Sequence, residues 1–285
     1  MSEIMPGTQD RSTLVKVSEL SQYLLCPRLV YYTARSMERP DRVQMNERSA
    51  IEHVLFKELG FNWQRLCMGD PEGEPQNGYR ETGETIAQTL AEITDSIEWI
   101  YRDELGSVNE DLLERAKTAF AELISTSDWL EQLRPDDELA LLERSFGFER
   151  ERTVISQRLG LVGSMDKLIR TEDEHIPCII KTGRCPAYSV WKRDRMQLAA
   201  YAMLLEDAYN TTVQRGFVEY IRAPEVRTSV IKKGDRALAL QTAKRVKRVK
   251  NGLFPEKGEH APCEQCAFAA QCETKRTLLS RLLMR

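Results

Sequence analysis

The order of apolar patterns along this sequence predicts an α/β fold. Helical spacing recurs through the first half, and from Leu139 onward short β-like runs separated by turn residues take over. A strongly helical segment, Arg193 to Tyr209, then stands between those runs and a further strand-like pair within residues 215–234.

Taken in order, the elements are as follows. "VKVSELSQYLLCPRLVYY" opens with a short β-like run. Ser18 suits a helix N-cap, and Leu20, Tyr23 and Leu24 keep helical spacing. Pro27 fits the first position of a new helical turn directly after Cys26. Asn46 to Leu59 reads as a helix with Ile51, Val54, Leu55 and Leu59 on one face and His53 beside that stripe. Met68 to Glu84 is polar and rich in Gly and Pro, hence a loop. Two or three helices follow between Thr85 and Leu133, and Leu133 to Glu138 is a second break. Residues 68–138 are therefore read as a helical insertion within a single domain spanning 1–285. Between Leu139 and Lys181 the short runs predict strands, with Thr171 to Glu174 joining a hairpin. Asp235 to Lys250 is helical with a basic outer face, and residues 251–285 form a cysteine module with a last short helix.

The totals set bounds. The chain has 285 residues, 41% hydrophobic and 30% charged, which suffices for a core under a soluble surface. No apolar run is long enough to span a bilayer, and "MSEIMPGTQDRST" lacks the basic and apolar regions of a secretory signal, so the expected compartment is the cytoplasm. A net charge of −3 is not that of a uniformly basic nucleic-acid binder. The cations cluster, however, at Trp191 to Arg195 and Lys244 to Lys250, and such clusters can line a DNA groove. Lys247 and Arg248 are the candidate contacts in the second cluster.

Seven cysteines without a secretion signal favour metal binding over a disulfide framework. Cys263, Cys266 and Cys272 form C-x2-C-x5-C, and Cys26, ahead of a proline at a helix start, is the best fourth thiolate. Four thiolates suit an iron–sulfur cluster. A zinc ion with His260 as fourth ligand fits the spacing equally well. Cys67, Cys178 and Cys185 read as small hydrophobes.

A second constellation lies in the strand region. "GLVGSMDKLIR" carries Asp166, and "IPCIIK" ends its apolar run on Lys181. An aspartate and a lysine on neighbouring strands, with His53 arriving from the amino-terminal helix, would suit a divalent cation and a lysine that positions water and phosphate. Gln197 and Tyr201, four apart on the following helix, share a face and are candidate phosphate contacts.

These pieces together resemble the RecB-like exonucleases of CRISPR adaptation, CRISPR-associated family four, within the PD-(D/E)XK nuclease superfamily. The resemblance rests on "SELSQYLLCPRLVYY", "GSMDKLI", "IPCIIK", "QLAAYAMLL" and "PCEQCAFAAQC", in family order from residue 17 to residue 272. It implies a restriction-endonuclease-like core, a mixed central sheet flanked by helices, with an N-terminal helical region. It also implies a 4Fe–4S cluster on Cys26, Cys263, Cys266 and Cys272 that joins the two chain ends. The implied activity is a metal-dependent DNA exonuclease on single-stranded or overhanging DNA, trimming spacer precursors beside the CRISPR integrase. The family's manganese or magnesium ligands fall on His53, Asp166 and the backbone carbonyl of Ile180, with Lys181 as the catalytic lysine.

One position departs from the pattern. The family's metal-binding glutamate stands two before the lysine, on the same strand face, and here that residue is Ile179. One carboxylate neutralises a hard dication poorly, so weaker metal binding and a slower reaction are expected. Glu143 and Glu219, each in a strand-like segment, are the candidate replacements. The alternative expectation is a catalytically impaired member acting as a DNA-binding or integrase-binding subunit.

Overall fold

The computed structural model describes residues 14–36, 47–63, 82–106, 108–126, 129, 137–259 and 261–274. The elements in chain order are β1 (Val15–Lys16), α1 (Val17–Leu25), α2 (Pro27–Thr33), α3 (Glu47–Phe61), α4 (Thr82–Ile100), α5 (Arg102–Leu105), α6 (Glu110–Thr126) and α7 (Glu138–Phe146). They continue with β2 (Glu149–Ser156), β3 (Leu161–Arg170), β4 (His175–Lys181), α8 (Lys192–Tyr209), β5 (Arg215–Tyr220), β6 (Glu225–Val230), α9 (Lys233–Lys250) and α10 (Ala269–Thr274). The fold is α/β, a mixed central sheet flanked by helices.

The sheet runs β1-β3-β4-β5-β6, with β2 also paired to β3. β2–β3, β3–β4 and β5–β6 are antiparallel, whereas β4–β5 and β1–β3 are parallel. One edge of β3 serves two partners. Its start pairs with β1 at Leu161 and Val162, and its end pairs with β4 from Lys167 to Arg170. Gly163 to Asp166 lie between those ladders, and the functional residues gather there.

Helix α8 explains its unbroken apolar run. Leu198 to Leu205 are all buried, because the helix is enclosed by the sheet on one side and by α1 and α9 on the other. A side chain on Gly163 would bring Cβ within 2.7 Å of both Tyr201 and Val17, so the glycine permits this close approach. On the opposite face, α3 packs on β4, and α4 and α6 extend the same cluster. Ile51, Leu55, Leu59, Ile93, Ile97 and Phe120 join Ile180 and Ile221 of the sheet region. Glu58 of α3, buried, receives both arms of Arg150 (2.9 and 2.7 Å) and the Tyr101 hydroxyl (3.2 Å).

Three local expectations are corrected. The first helix begins at Val17, not after Ser18, because the Glu19 carboxylate accepts the Lys16 N–H (2.8 Å) and caps the end two residues earlier. The run from Leu139 is helical. Asp137 caps α7 through its side chain on Ala140 N–H (2.8 Å), and Gly147 ends it with φ 66°. Glu143 is accordingly a helix residue. The expected loop Met68 to Glu84 is too long at its end, because α4 already begins at Thr82; residues 68–81 and most of the break after Leu133 fall outside the described residues.

Glu143 and Glu219 meet at a buried lysine, Lys167 of β3, at 2.7 and 3.0 Å. Two carboxyls share one ammonium there, and Glu219 Oε1 has no hydrogen-bond partner. Burial pushes the Glu219 carboxyl up to about 8, against the pull of Lys167. The folded state thus keeps this proton to higher pH than the unfolded chain. Its stabilising contribution is full below the ordinary carboxylate range and is lost as pH rises through about 8. Glu219→Gln should flatten the fall in melting temperature between pH 5 and pH 8, followed by circular dichroism. Lys167→Met, which strands two acids, should cost about 3–5 kcal/mol in urea unfolding.

Candidate functional site

The site forms where β3 passes from one partner to the other. Beyond the β3–β4 ladder, the Ile180 N–H lacks a backbone acceptor on β3, and the Asp166 carboxylate accepts it instead (2.8 Å). The other carboxylate oxygen lies 3.3 Å from Lys57 Nζ of α3. Lys57 also reaches Glu151 of β2 at 2.7 Å. Glu151 takes φ 51°, which kinks β2. Arg150 on one side of it turns to Glu58, while Arg152 on the other turns to Tyr209 of α8. Residues two apart normally share a strand face, so the kink exchanges the faces and delivers Glu151 beside Asp166. Burial alone would lower the Lys57 pKa, but Asp166 and Glu151 more than reverse this, and it stands above its ordinary value.

Ile179 is 0% exposed, within the cluster that holds Met196, Ala200 and Tyr201. Two residues on, Lys181 donates to Gln197 Oε1 (2.6 Å) and lies 3.3 Å from Asp194 Oδ1. Asp194, 1% exposed, also accepts from the Tyr220 hydroxyl (3.1 Å). Gln197 continues to the Tyr201 hydroxyl (3.3 Å), which donates to Ser164 O (2.6 Å). Burial first, and then Asp166, raise the Tyr201 pKa. His53 Nδ1 lies 2.8 Å from the Thr182 hydroxyl, one residue past Lys181.

The candidate residues therefore divide. Asp166 meets the Ile180 backbone, Lys181 meets Gln197, and His53 approaches the end of the same strand. Tyr201, 3% exposed, is buried because α8 is covered on both sides, and its hydroxyl links Gln197 to Ser164 O. Glu143 and Glu219 are spent on Lys167 and do not replace the missing acid. On α9 the basic run is split by its helical period. Val246 and Val249 face the core, and Lys250 bonds Leu14 O and Glu19 (each 3.1 Å). Lys247 is half-buried and Arg248 exposed. Three site residues went unread in the sequence: Lys57, Glu151 and Asp194. Lys57 stands four after His53 and Asp194 three before Gln197, spacings that share a helix face. Nothing local announces the kink at Glu151.

As arranged, these residues do not fit a divalent cation. Position 179 offers a hydrocarbon, and both Asp166 oxygens already face protein donors. A lysine ammonium, Lys57, already lies beside Asp166 and neutralises it.

The cysteines behave differently. Cys26, at the junction of α1 and α2, lines one cavity of about 200 Å³ together with Cys263, Cys266 and Cys272. Arg28 Nη1 lies 3.0 Å from Cys272 Sγ, and the Gly258 N–H points at Cys26 Sγ (3.5 Å). Burial and the three other thiols raise the Cys266 pKa, against a backbone hydrogen bond at Phe268. The sulfurs surround the cavity without closing on one point, and among the described residues no group of three or more ligating side chains is close enough for a single ion. The donor set, four thiols with a cation and an N–H beside them, fits a thiolate-bound cluster. His260 lies outside the described residues.

Comparison with known proteins agrees on the superfamily. The family model of the PD-(D/E)XK nuclease superfamily matches residues 16–273. An uncharacterized protein of Archaeoglobus fulgidus is 28% identical over 136 residues, 47% of this chain and 61% of its own. A CRISPR-associated exonuclease Cas4/endonuclease Cas1 fusion of Leptospira interrogans is 25% identical over 153 residues, 52% of this chain and 27% of its own. The chain thus spans less than two thirds of either relative. The solved structure of SSO0001 aligns over 79% of this chain and 97% of its own at 18% identity, with a TM-score of 0.35, too loose to bear on the fold.

Calorimetric titration with Mn²⁺ should show no saturable site in the wild type below millimolar metal. Lys57→Ala frees the Asp166 and Glu151 carboxylates and should tighten Mn²⁺ uptake by roughly tenfold or more.

Proposed function

The chain belongs to the PD-(D/E)XK nuclease superfamily, and from that membership we propose that it is a DNA-binding relative of CRISPR-associated family four whose hydrolytic centre is impaired. The observation that carries this reading is Ile179, sealed in the core where the superfamily places a metal-binding acid. Lys57 against Asp166 supports it, because the site is neutralised from within. The protein then holds DNA, single-stranded or overhanging, as a subunit beside the CRISPR integrase. The fusion of exonuclease and endonuclease in the Leptospira relative supports a partner of that kind. No described helix is long and apolar enough to cross a membrane.

A second reading keeps the exonuclease. It is favoured by Lys181, which is still held between Gln197 and Asp194 on the strand that Asp166 caps. The two readings part on one assay, in which labelled single-stranded DNA is incubated with Mn²⁺ and wild type or Asp166→Asn. Both proteins should retard the DNA, and neither should degrade it. Manganese-dependent degradation by wild type that vanishes in Asp166→Asn would establish the exonuclease instead.

The four cysteines are assigned a 4Fe–4S cluster. The cavity among them supports this, since a zinc ion would draw four sulfurs to about 3.8 Å of one another through bonds of ~2.3 Å and leave no space. When bound, the cluster would cross-link Cys26 to the carboxy-terminal segment. Cys26 sits in the small core of Leu29, Tyr32 and Phe268 that these segments share. Protein purified without oxygen should be brown with iron and sulfide in cluster ratio, and Cys26→Ser should lose both colour and melting temperature. A colourless, zinc-rich protein would overturn the assignment.

A further inference from the structure

The loop from β4 to α8, residues 183–191, carries an arrangement that the nuclease pattern does not use. With the first residues of α8 it reads "GRCPAYSVWKR": three cations, two large aromatics and no acid, in a chain of net charge −3. Tyr188 is 88% exposed and Trp191 49% exposed. Arg184 and Lys192 are exposed as well, and Arg193 is half-exposed.

Two exposed aromatic rings three residues apart among cations offer faces on which a planar ligand can stack. The loop carrying them is not loose. Val190, between them, is buried in the main core, and Pro186 is buried too. The Trp191 indole N–H reaches back to Arg184 O (3.4 Å), and Arg195 holds Val190 O (2.9 Å). Arg222 donates to Thr182 O (2.6 Å), and Arg227 donates to Ser189 O. Ser189 takes φ 51°, so the chain turns sharply between Tyr188 and Val190. Of the acids near the loop, Glu225 is engaged by Arg227 (2.7 Å) and Cys185 (3.3 Å), and buried Asp194 by Lys181 (3.3 Å). The rings are thus held outward on a fixed backbone, beside exposed Arg184 and Lys192 and half-exposed Arg193, which also pairs with buried Asp194 (3.8 Å).

We propose that this loop is a base-stacking platform for single-stranded nucleic acid, with Tyr188 and Trp191 receiving bases and Arg184, Lys192 and Arg193 the flanking phosphates. Cations recruit a polyanion, and exposed rings discriminate an unpaired base, whose face is free, from a paired one, whose face is stacked in a duplex. Order along the chain adds a direction. The chain leaves β4 directly after Lys181 and enters the helix whose Asp194 and Gln197 hold that lysine. A strand stacked on the loop therefore runs beside the candidate site. Charge decides against a protein partner as the first choice, because an apolar docking patch does not need three cations. The inference rests on the nucleic-acid-binding reading above and names the surface that performs it.

The test uses the full chain and three probes: a dT oligonucleotide, an rU oligonucleotide of equal length, and a blunt duplex. Tyr188→Ala and Trp191→Ala should each weaken binding of the single strands by roughly tenfold or more, the size of one lost base stack, and leave the weaker duplex binding nearly unchanged. Trp191→Phe keeps a ring and should bind close to wild type. In a Trp99→Phe background, Trp191 is the exposed indole among the described residues, and dT should quench its emission. The dT and rU arms tell whether DNA or RNA is the better ligand. If wild type binds single strands and both alanine variants bind equally well without quenching, the platform is wrong and the rings belong to a protein partner. If wild type binds no nucleic acid, the broader binding reading fails first.

Discussion

A backbone hydrogen-bond deficit organises the centre of this protein. β3 cannot pair with β1 and with β4 along the same residues, so its edge opens between the two ladders. The N–H of Ile180 faces that opening and needs an acceptor, since a buried, unpaired amide is costly. Asp166 fills the role with its side chain. A carboxylate used this way is pinned in position before any ligand arrives. It also carries a negative charge into a partly buried place, which calls for a cation. In nucleases of this superfamily a divalent metal is that cation. Here Lys57 is already there, and Glu151 shares it.

The same logic separates this site from the buried triad next to it. Lys167, one residue after Asp166, gathers Glu143 and Glu219. Those acids look like replacements for the missing glutamate when they are seen only as acids near strands. Both carboxyls are instead turned to the fully buried ammonium, at 2.7 and 3.0 Å. Isoleucine at 179 then costs the fold nothing, because the position packs against α8 as any core residue of β4 does.

The two chain ends meet through a different force. Tyr32 stacks on Phe268 with ring centres 5.2 Å apart, and the Tyr31 ring meets Phe254 edge-on at 4.8 Å. Arg28 lies over Phe254 and reaches Cys272. This aromatic junction brings four thiols around one cavity with a guanidinium beside them. It explains how cysteines more than two hundred residues apart come to serve one centre.

Sequence by itself determined the α/β class, the long buried helix, the hairpins and the absence of an acid at position 179. These depend on local period and residue identity, and both are properties of short segments. It misplaced α7, where the cap at Asp137 outweighed an apolar run that also suits a strand. Tertiary structure alone decided where the charges went. Glu151 reaches Asp166 only because a left-handed residue exchanges the faces of β2, and a change of face in a strand redirects every side chain beyond it. Lys57 finds both acids only once α3 has docked on β4. Tyr201 is buried because α1 and α9 cover α8. Each of these outcomes is set by segments distant in the chain, and no local pattern encodes the meeting of distant segments.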